Sequence, residues 1–332
     1  MGSYGIVPSD TFDLYSQLDA LKKGYPHFYD CLDLSRIATW QQDSKLLDNE
    51  TDDFGPNEVG GRGTHYITAM TSNVNARAIG IAKLIGMMRD KGTTRSRRII
   101  LDLLGGDGLI CKIAAQLGMS EIDILTCDIS KHMVKAAWDT GVPAVRQRAE
   151  HLLCKDASVD GVLLAYGTHH IDPSSRLNAT KEAYRALRPG GLFVLHDFEV
   201  GGPMDVWFDD VVDKYSTTGH PFRHFTRDEM QKYFIGAGFQ NFQIFEMLDP
   251  YSAIAESPEK ADLAMGAYLV NMYGLTKLEE AKGQEDAARW ALEKAREVFG
   301  KSSEISGPEY DESEEKWRTI VPRMALVGVA TR

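Results

Sequence analysis

Cysteine is scarce in this chain. Its four residues, Cys31, Cys111, Cys127 and Cys154, stand far apart and form no Cys-x-x-Cys pair. That argues against a disulfide framework, and three of the four lie in apolar runs, as reduced core thiols of a cytoplasmic protein do. Positive charge is also short: 37 Lys and Arg face 48 Asp and Glu, a net charge of −11 with histidine neutral. Such a surface repels phosphate backbones, so no nucleic-acid partner is expected. No apolar run approaches the roughly 18 residues that cross a bilayer, so no membrane partner is expected either. The first residues lack the basic-then-apolar pattern of a secretory signal. Met1-Gly2 opens like a myristoylation site, but Ile6 stands where that motif needs Ser or Thr.

What is present is ordinary globular material, 43% hydrophobic and 26% charged. A length of 332 residues corresponds to about two domains or one elaborated α/β domain. Residues 9–40 read as helical, with Ser9 or Asp10 as a cap and Phe12, Tyr15, Leu18 and Leu21 at three-residue steps. Gly24-Tyr25-Pro26 breaks the run before a second helix through Phe28, Cys31, Leu32 and Ile37 to Trp40. The stretch 48–63 is acidic and then glycine-rich, a long loop. A further helix is expected over 65–90.

At Arg97 the pattern changes. Short apolar runs at Ile99–Leu104, Ile122–Cys127, Gly161–Tyr166, Leu192–Phe198 and Phe242–Leu248 alternate with amphipathic segments near 109–118, 130–139, 175–187, 204–216 and 227–236. Strand and helix alternating at this spacing predict a mostly parallel sheet with helices on both faces. Thr226 with Glu229 three residues on is a capping box. Residues 259–280 and 285–299 read as helices, 301–316 as a polar stretch, and Arg323–Ala330 as a last strand. The expected division is 1–94, a helical lid or oligomerisation region; 95–250, the core; 251–320, a helical insertion; and 321–332, the last core strand.

The most informative segment runs from Ile99 through Asp102, Leu103, Leu104, Gly105, Gly106 and Asp107 to Gly108. A buried strand enters a glycine turn and then a helix, so backbone N–H groups can approach a ligand beside a positive helix end. Twenty residues beyond Gly108 the second strand ends in Asp128, where a carboxylate can accept both hydroxyls of an adenosine ribose. A dinucleotide site needs a third glycine, and Cys111 occupies that place.

In these features the chain resembles the class I S-adenosylmethionine-dependent methyltransferase family, over about 95–250 plus the last strand. Asp102 and the run Leu104-Gly105-Gly106-Asp107-Gly108 match the turn that wraps the methionine part of the cofactor, except that Leu104 replaces the first glycine. By the same resemblance Asp128 corresponds to the ribose-binding acid, with Ile129 and Met133 near the adenine. Ala149 and Glu150 fall in the third-strand loop, with Arg148 where an Asp often stands. Ala165 and Tyr166 end the fourth strand, ahead of Thr168-His169-His170. Arg185–Gly191 is similar to the turn into strand 5, and Phe225–Phe239 to the last helix and entry to strand 6. The resemblance implies a Rossmann-like seven-stranded sheet, S-adenosylmethionine as cofactor and a small-molecule methyl acceptor.

Ligands of open α/β sheets bind beyond the carboxyl ends of the strands. Five of the nine histidines fall there: His169 and His170, His196 beside Asp197, and His220 and His224. Imidazole titrates near neutrality, so His170 and His196 are the first candidates for orienting or deprotonating the acceptor, with Asp197 a weaker partner. Two or three imidazoles with Asp197 could instead hold a metal, which resembles the use of iron by some keto-acid C-methyltransferases; the acid–base reading is preferred and no metal ligand is assigned. Tyr25, Phe28, Tyr29, Trp40 and Tyr66 are lid candidates, with core packing the commoner fate of such residues. Tyr251, Tyr268, Met272 and Tyr273 suit an acceptor wall or an oligomer interface. The reading is methyl transfer to a small, specialised-metabolite or keto-acid-like molecule by a possible homo-oligomer. Its rivals are a cyclase or pericyclase with structural S-adenosylmethionine, a nicotinamide oxidoreductase, and a degenerate binding protein.

Overall fold

The computed structural model describes residues 13–47, 52–56, 60–89, 97–300 and 307–332. Ten strands follow in chain order: β1 Arg98–Leu103, β2 Ile122–Asp128, β3 Ala144–Arg146, β4 Val159–Leu164, β5 Leu187–Asp197, β6 Asn241–Leu248, β7 Tyr251–Ala255, β8 Glu309–Asp311, β9 Lys316–Val321 and β10 Met324–Thr331. Seven form one sheet in the order β3-β2-β1-β4-β5-β10-β6. The pairs β2–β3, β1–β2, β1–β4 and β4–β5 are parallel, while β10 runs antiparallel to both β5 and β6. This is the expected mostly parallel sheet. All six residues of β4 are buried, as a strand covered on both faces requires.

Successive side chains leave a strand on opposite faces, which builds two apolar cores. Ile100, Leu163, Val194 and Val327 join Ile81, Leu84 and the insertion's Met265 and Tyr268 on one face. Leu101, Val162, Phe193 and Leu326 join Leu14, Leu21, Phe28 and Trp40 on the other. The helices up to Trp40 thus cover one face of the sheet, while helix Ala78–Met88 and the insertion share the other.

Several elements differ from the sequence reading. The first described helix is Leu14–Gly24, capped by Asp13 with Ser16; Ser9, Asp10 and Phe12 lie outside the described residues. Its buried stripe is Leu14, Gln17, Leu18 and Leu21, and Tyr15 is exposed. The helix expected over 65–90 is two, Gly63–Ser72 and Ala78–Met88. Between them the Asn73 side chain donates to the Ser252 carbonyl at 2.9 Å, tying the break to β7. The helix expected over 259–280 stops at Tyr273, because Gly274 takes a left-handed φ of 58° and the chain restarts at Thr276. Helix 204–216 contains a π-helical turn, Phe208–Val212. The antiparallel sheet β7-β9-β8 was not anticipated; part of the polar 301–316 stretch forms β8, while 301–306 lie outside the described residues. The capping box at Thr226 is present, with Thr226 N–H donating to Glu229 at 2.8 Å. All four cysteines are free thiols, and among the described residues no helix is long and apolar enough to cross a membrane.

Candidate active site

The glycine turn carries three left-handed residues in five: Leu104 and Gly106, each with φ 57°, and Gly108 with φ 80°. A side chain in that region costs about 1–2 kcal/mol, and Leu104 bears it where the family pattern has glycine. The glycines do different work. A Cβ on Gly105 would lie 2.6 Å from Asp102 Oδ2, and one on Gly108 only 2.5 Å from Val142 Cγ1. A Cβ on Gly106 would meet nothing closer than Tyr66 Oη at 3.7 Å. Gly105 and Gly108 allow close packing, whereas Gly106 borders open space.

Asp128 at the end of β2 braces this turn. Its Oδ2 accepts the Gly106 N–H at 2.9 Å and its Oδ1 accepts the Ser130 N–H at 2.8 Å. Burial pushes its carboxyl up to about 6, against the pull of those two amides. Asp102 lies beneath the turn with neither carboxylate oxygen hydrogen-bonded. Burial first, and Asp128 second, push it well above the usual carboxylate range.

Beside the turn opens a cavity of about 290 Å³. Leu104, Gly106, Asp128, Ile129 and Met133 line it together with His169, His170, Phe208 and Phe222. Phe54 and Arg62 stack 4.2 Å apart at its wall. Arg77, from the break between the two helices, donates to Tyr66 Oη at 2.7 Å and stacks on Tyr166, while its Nε is buried without a partner. The insertion and the approach to β10 supply Tyr251, Tyr273 and Arg323. Arg323 pairs with buried Asp249 at 2.7 Å; its guanidinium holds that carboxyl low although burial pushes it up.

Beside the cavity four imidazoles converge. The His169 ring centroid is 4.6 Å from that of His170, 5.0 Å from His220 and 4.8 Å from His224. Asp197 accepts from the His169 backbone N–H at 2.7 Å, and its Oδ1 lies 2.9 Å from His169 Nδ1. Burial raises the Asp197 carboxyl, but His169, His224 and the Phe198 amide together outweigh it and hold the group below its ordinary value; a charged Asp197 therefore makes Nδ1 the protonated nitrogen. Burial, then His169, Arg62 and the other imidazoles, push His170 well below its ordinary value, so it is neutral at pH 7.

Leu104, Gly106, Asp128, Ile129, Met133, Tyr166 and His170 of the expected site residues line the cavity. The others do not. Asp102 lies beneath the turn, and Gly105 and Gly108 face away from the cavity onto Asp102 and Val142. Ala149 is in the apolar cluster under the N-terminal helices, and Ala165 is in the opposite one. Glu150 turns aside to pair with Arg148 at 3.0 Å. His196 is wholly buried behind Tyr166, whose N–H is 3.4 Å from its Nδ1, with Asp249 3.4 Å from its Nε2. Asp197, on the opposite face of β5, reaches the cavity only through His169. Of the lid aromatics only Tyr66 lines it; Phe28 and Trp40 are core residues. Sequence reasoning missed Arg62, Arg77 and Arg323. Arg77 and Arg323 occupy a helix break and a strand entry, where polar residues are common, and carried no signal of convergence.

Residues 101–195 match a family model described as a methyltransferase domain. With the sheet order and glycine turn, this makes the core a class I S-adenosylmethionine-dependent methyltransferase domain, and S-adenosylmethionine is the cofactor of that class. The ubiquinone/menaquinone biosynthesis C-methyltransferase UbiE of Methylobacterium nodulans is 32% identical over 141 residues, 40% of this chain and 53% of its own length. The protein of that name from Bradyrhizobium diazoefficiens is 35% identical over 107 residues, 30% of this chain and 42% of its own. The chain thus spans about half the length of the curated relatives it matches. A chain of a Haloferax volcanii methyltransferase–activator complex aligns at TM-score 0.50 with 15% identity, covering 85% of this chain and 99% of its own. That likeness is one of fold.

The residues present fit the cofactor. Gly106 leaves room that a Cβ would narrow, Asp128 ends at the cavity wall, and Ile129 and Met133 offer apolar contacts beside it.

Proposed function

We propose that the chain methylates a small anionic acceptor, keto-acid-like in charge, enclosed between the glycine turn and the histidine cluster. One observation carries the reading. A single cavity joins Gly106 and Asp128 to a wall containing the guanidiniums of Arg62, Arg77 and Arg323. A buried guanidinium nitrogen without a partner, such as Arg77 Nε, is costly unless an anion meets it.

Bound S-adenosylmethionine supplies a methyl carbon on a sulfonium; everything else is positioning by this chain. Asp128 holds the ribose, with Ile129 and Met133 beside the adenine. Arg77 and Arg62 orient the acceptor's carboxylate, and Phe54, Tyr66 and Phe222 exclude water. His170, neutral and at the acceptor end, takes the proton that an enolisable carbon must lose when it forms the new carbon–methyl bond. Carbon as the methylated atom is supported by the names of the curated relatives, which are C-methyltransferases.

Calorimetry with S-adenosylhomocysteine, followed by transfer of labelled methyl to a panel of 2-keto acids, phenols and neutral amines, tests this. Cofactor binding with label on the keto acids, and a raised KM for them in Arg77→Gln, is the expected result. No cofactor binding, or preference for neutral amines, overturns it.

A further inference from the structure

We infer that His169, His170 and His220 form a binding site for one divalent transition-metal ion, open to the cavity on its fourth side. One ring nitrogen of each lies within 4.8 Å of the others. Imidazole nitrogens bound tetrahedrally at about 2.0–2.1 Å sit about 3.4 Å apart, so the three rings need close by no more than about 1.4 Å. Side-chain torsions can supply that.

The surroundings have the form of a metal site's outer shell. Ligating histidines typically give their second nitrogen to a carboxylate, which fixes the tautomer and aims the free lone pair. His169 is held in this way by Asp197 at 2.9 Å, and His224 by Asp205 at 2.8 Å. Two carboxylate-oriented imidazoles in one cluster are more than core packing asks for. Nε2 of the ligand His220 is buried without a hydrogen-bond partner. Unpaired buried nitrogens are expensive, and a metal removes that cost.

A second grouping, His169, Asp197 and His224, is equally compact. Asp197 already accepts from the backbone N–H groups of His169 and Phe198 and from the His169 ring, so it acts as orienter and the first grouping as ligand set. Three imidazoles suit zinc, iron(II), cobalt(II) or nickel(II) and not magnesium or calcium, which require oxygen. Because His169 and His170 line the cavity, the open position faces the acceptor, where the ion would polarise an acceptor oxygen; with the ion bound the His170 lone pair is on the metal, so His170 acts as the acceptor's base only in metal-free protein. That use of the ion rests on the methyl-transfer reading; the site itself does not.

The test uses the full chain stripped with chelator and titrated with cobalt(II) and with zinc(II). The expected result is one ion per chain, with visible bands of nitrogen-ligated cobalt. His170→Ala and His220→Ala should each weaken affinity more than about 100-fold, and Asp197→Asn about 10- to 100-fold. His27→Ala, on a distant helix, should bind as wild type. His169 is bonded so deeply that its removal threatens the fold, so the partly buried His220 carries the decision. Binding of neither ion at one equivalent, or full binding in both His170→Ala and His220→Ala, overturns the site. Calorimetry with S-adenosylhomocysteine beside the metal titrations separates the two readings: a protein that binds S-adenosylhomocysteine but neither ion sinks this one, and a protein that binds an ion but not S-adenosylhomocysteine sinks the other.

Discussion

Asp197 grips His169 at two points, accepting from its backbone N–H at 2.7 Å and from its ring Nδ1–H at 2.9 Å. Both groups are buried, so the pair forms without water to replace either partner. Removing one half leaves the other unpaired in a low dielectric, which usually costs about 3–5 kcal/mol. Asp197→Ala is therefore expected to lower unfolding free energy by about that amount in urea titrations. The carboxyl's folded pKa lies below its unfolded value. Its stabilisation is thus present above about pH 4 and lost as pH falls through the folded value. Asp197→Asn should lose that part of the acid dependence.

His170 and His196 should separate cleanly under substitution. His170 borders the cavity, whereas His196 lies behind Tyr166 against Asp249. His170→Ala is expected to cut turnover about 10²- to 10⁴-fold with cofactor affinity within about twofold of wild type. His196→Ala should lower the thermal midpoint, by opening a hole beneath Tyr166. Steady-state kinetics and a thermal melt on both variants would show it; a stable His196→Ala with lost turnover would reverse the two roles.

Cofactor affinity should depend on pH through Asp128. Ribose hydroxyls donate to the charged carboxylate, and the free protein's group titrates near 6. Below that pH binding must expel a proton, so affinity falls by at most about tenfold per pH unit. Above it the affinity is flat. Asp128→Asn should remove the slope and weaken binding by about 2–4 kcal/mol, roughly 30- to 1,000-fold. Calorimetry with S-adenosylhomocysteine between pH 5 and pH 8 checks both statements.

Two neighbouring glycines should fail in different ways. Gly108→Ala meets Val142 at 2.5 Å as well as a left-handed backbone, and should cost about 2–4 kcal/mol of stability. Gly106→Ala meets the backbone penalty alone, about 1–2 kcal/mol, but puts a methyl at the cavity edge. It should lower cofactor affinity about tenfold or more. Urea midpoints and calorimetry on the pair distinguish them.

The sheet was legible because β1, β2, β4 and the second half of β5 are buried on both faces and so read as mostly apolar runs between amphipathic helices. Asp128 and Gly106 could be placed for the same reason: a strand end and a glycine turn mark themselves locally. The opposite wall could not. Arg77 sits in a helix break that depends on Asn73 reaching the Ser252 carbonyl in β7, a contact across most of the chain. His169 and His170 are adjacent in sequence, yet which of them meets Asp197 depends on the short 3₁₀ turn Thr168–His170 after β4. The left-handed Leu104 was visible as a departure from pattern, but the strain it carries was not.

The position of β10 bears on how the chain folds. It fills the slot between β5 and β6, yet it arrives only after β7, the helices of the insertion, β8 and β9. Until it docks, the facing rims of β5 and β6 present open rows of N–H and C=O groups, and such rows recruit strands from other molecules. Closing the slot also means ordering contacts of large sequence separation, the slow kind. Docking of β10 should therefore be the slow phase of refolding, and recovery of native protein should fall with concentration as intermolecular pairing competes for the same slot.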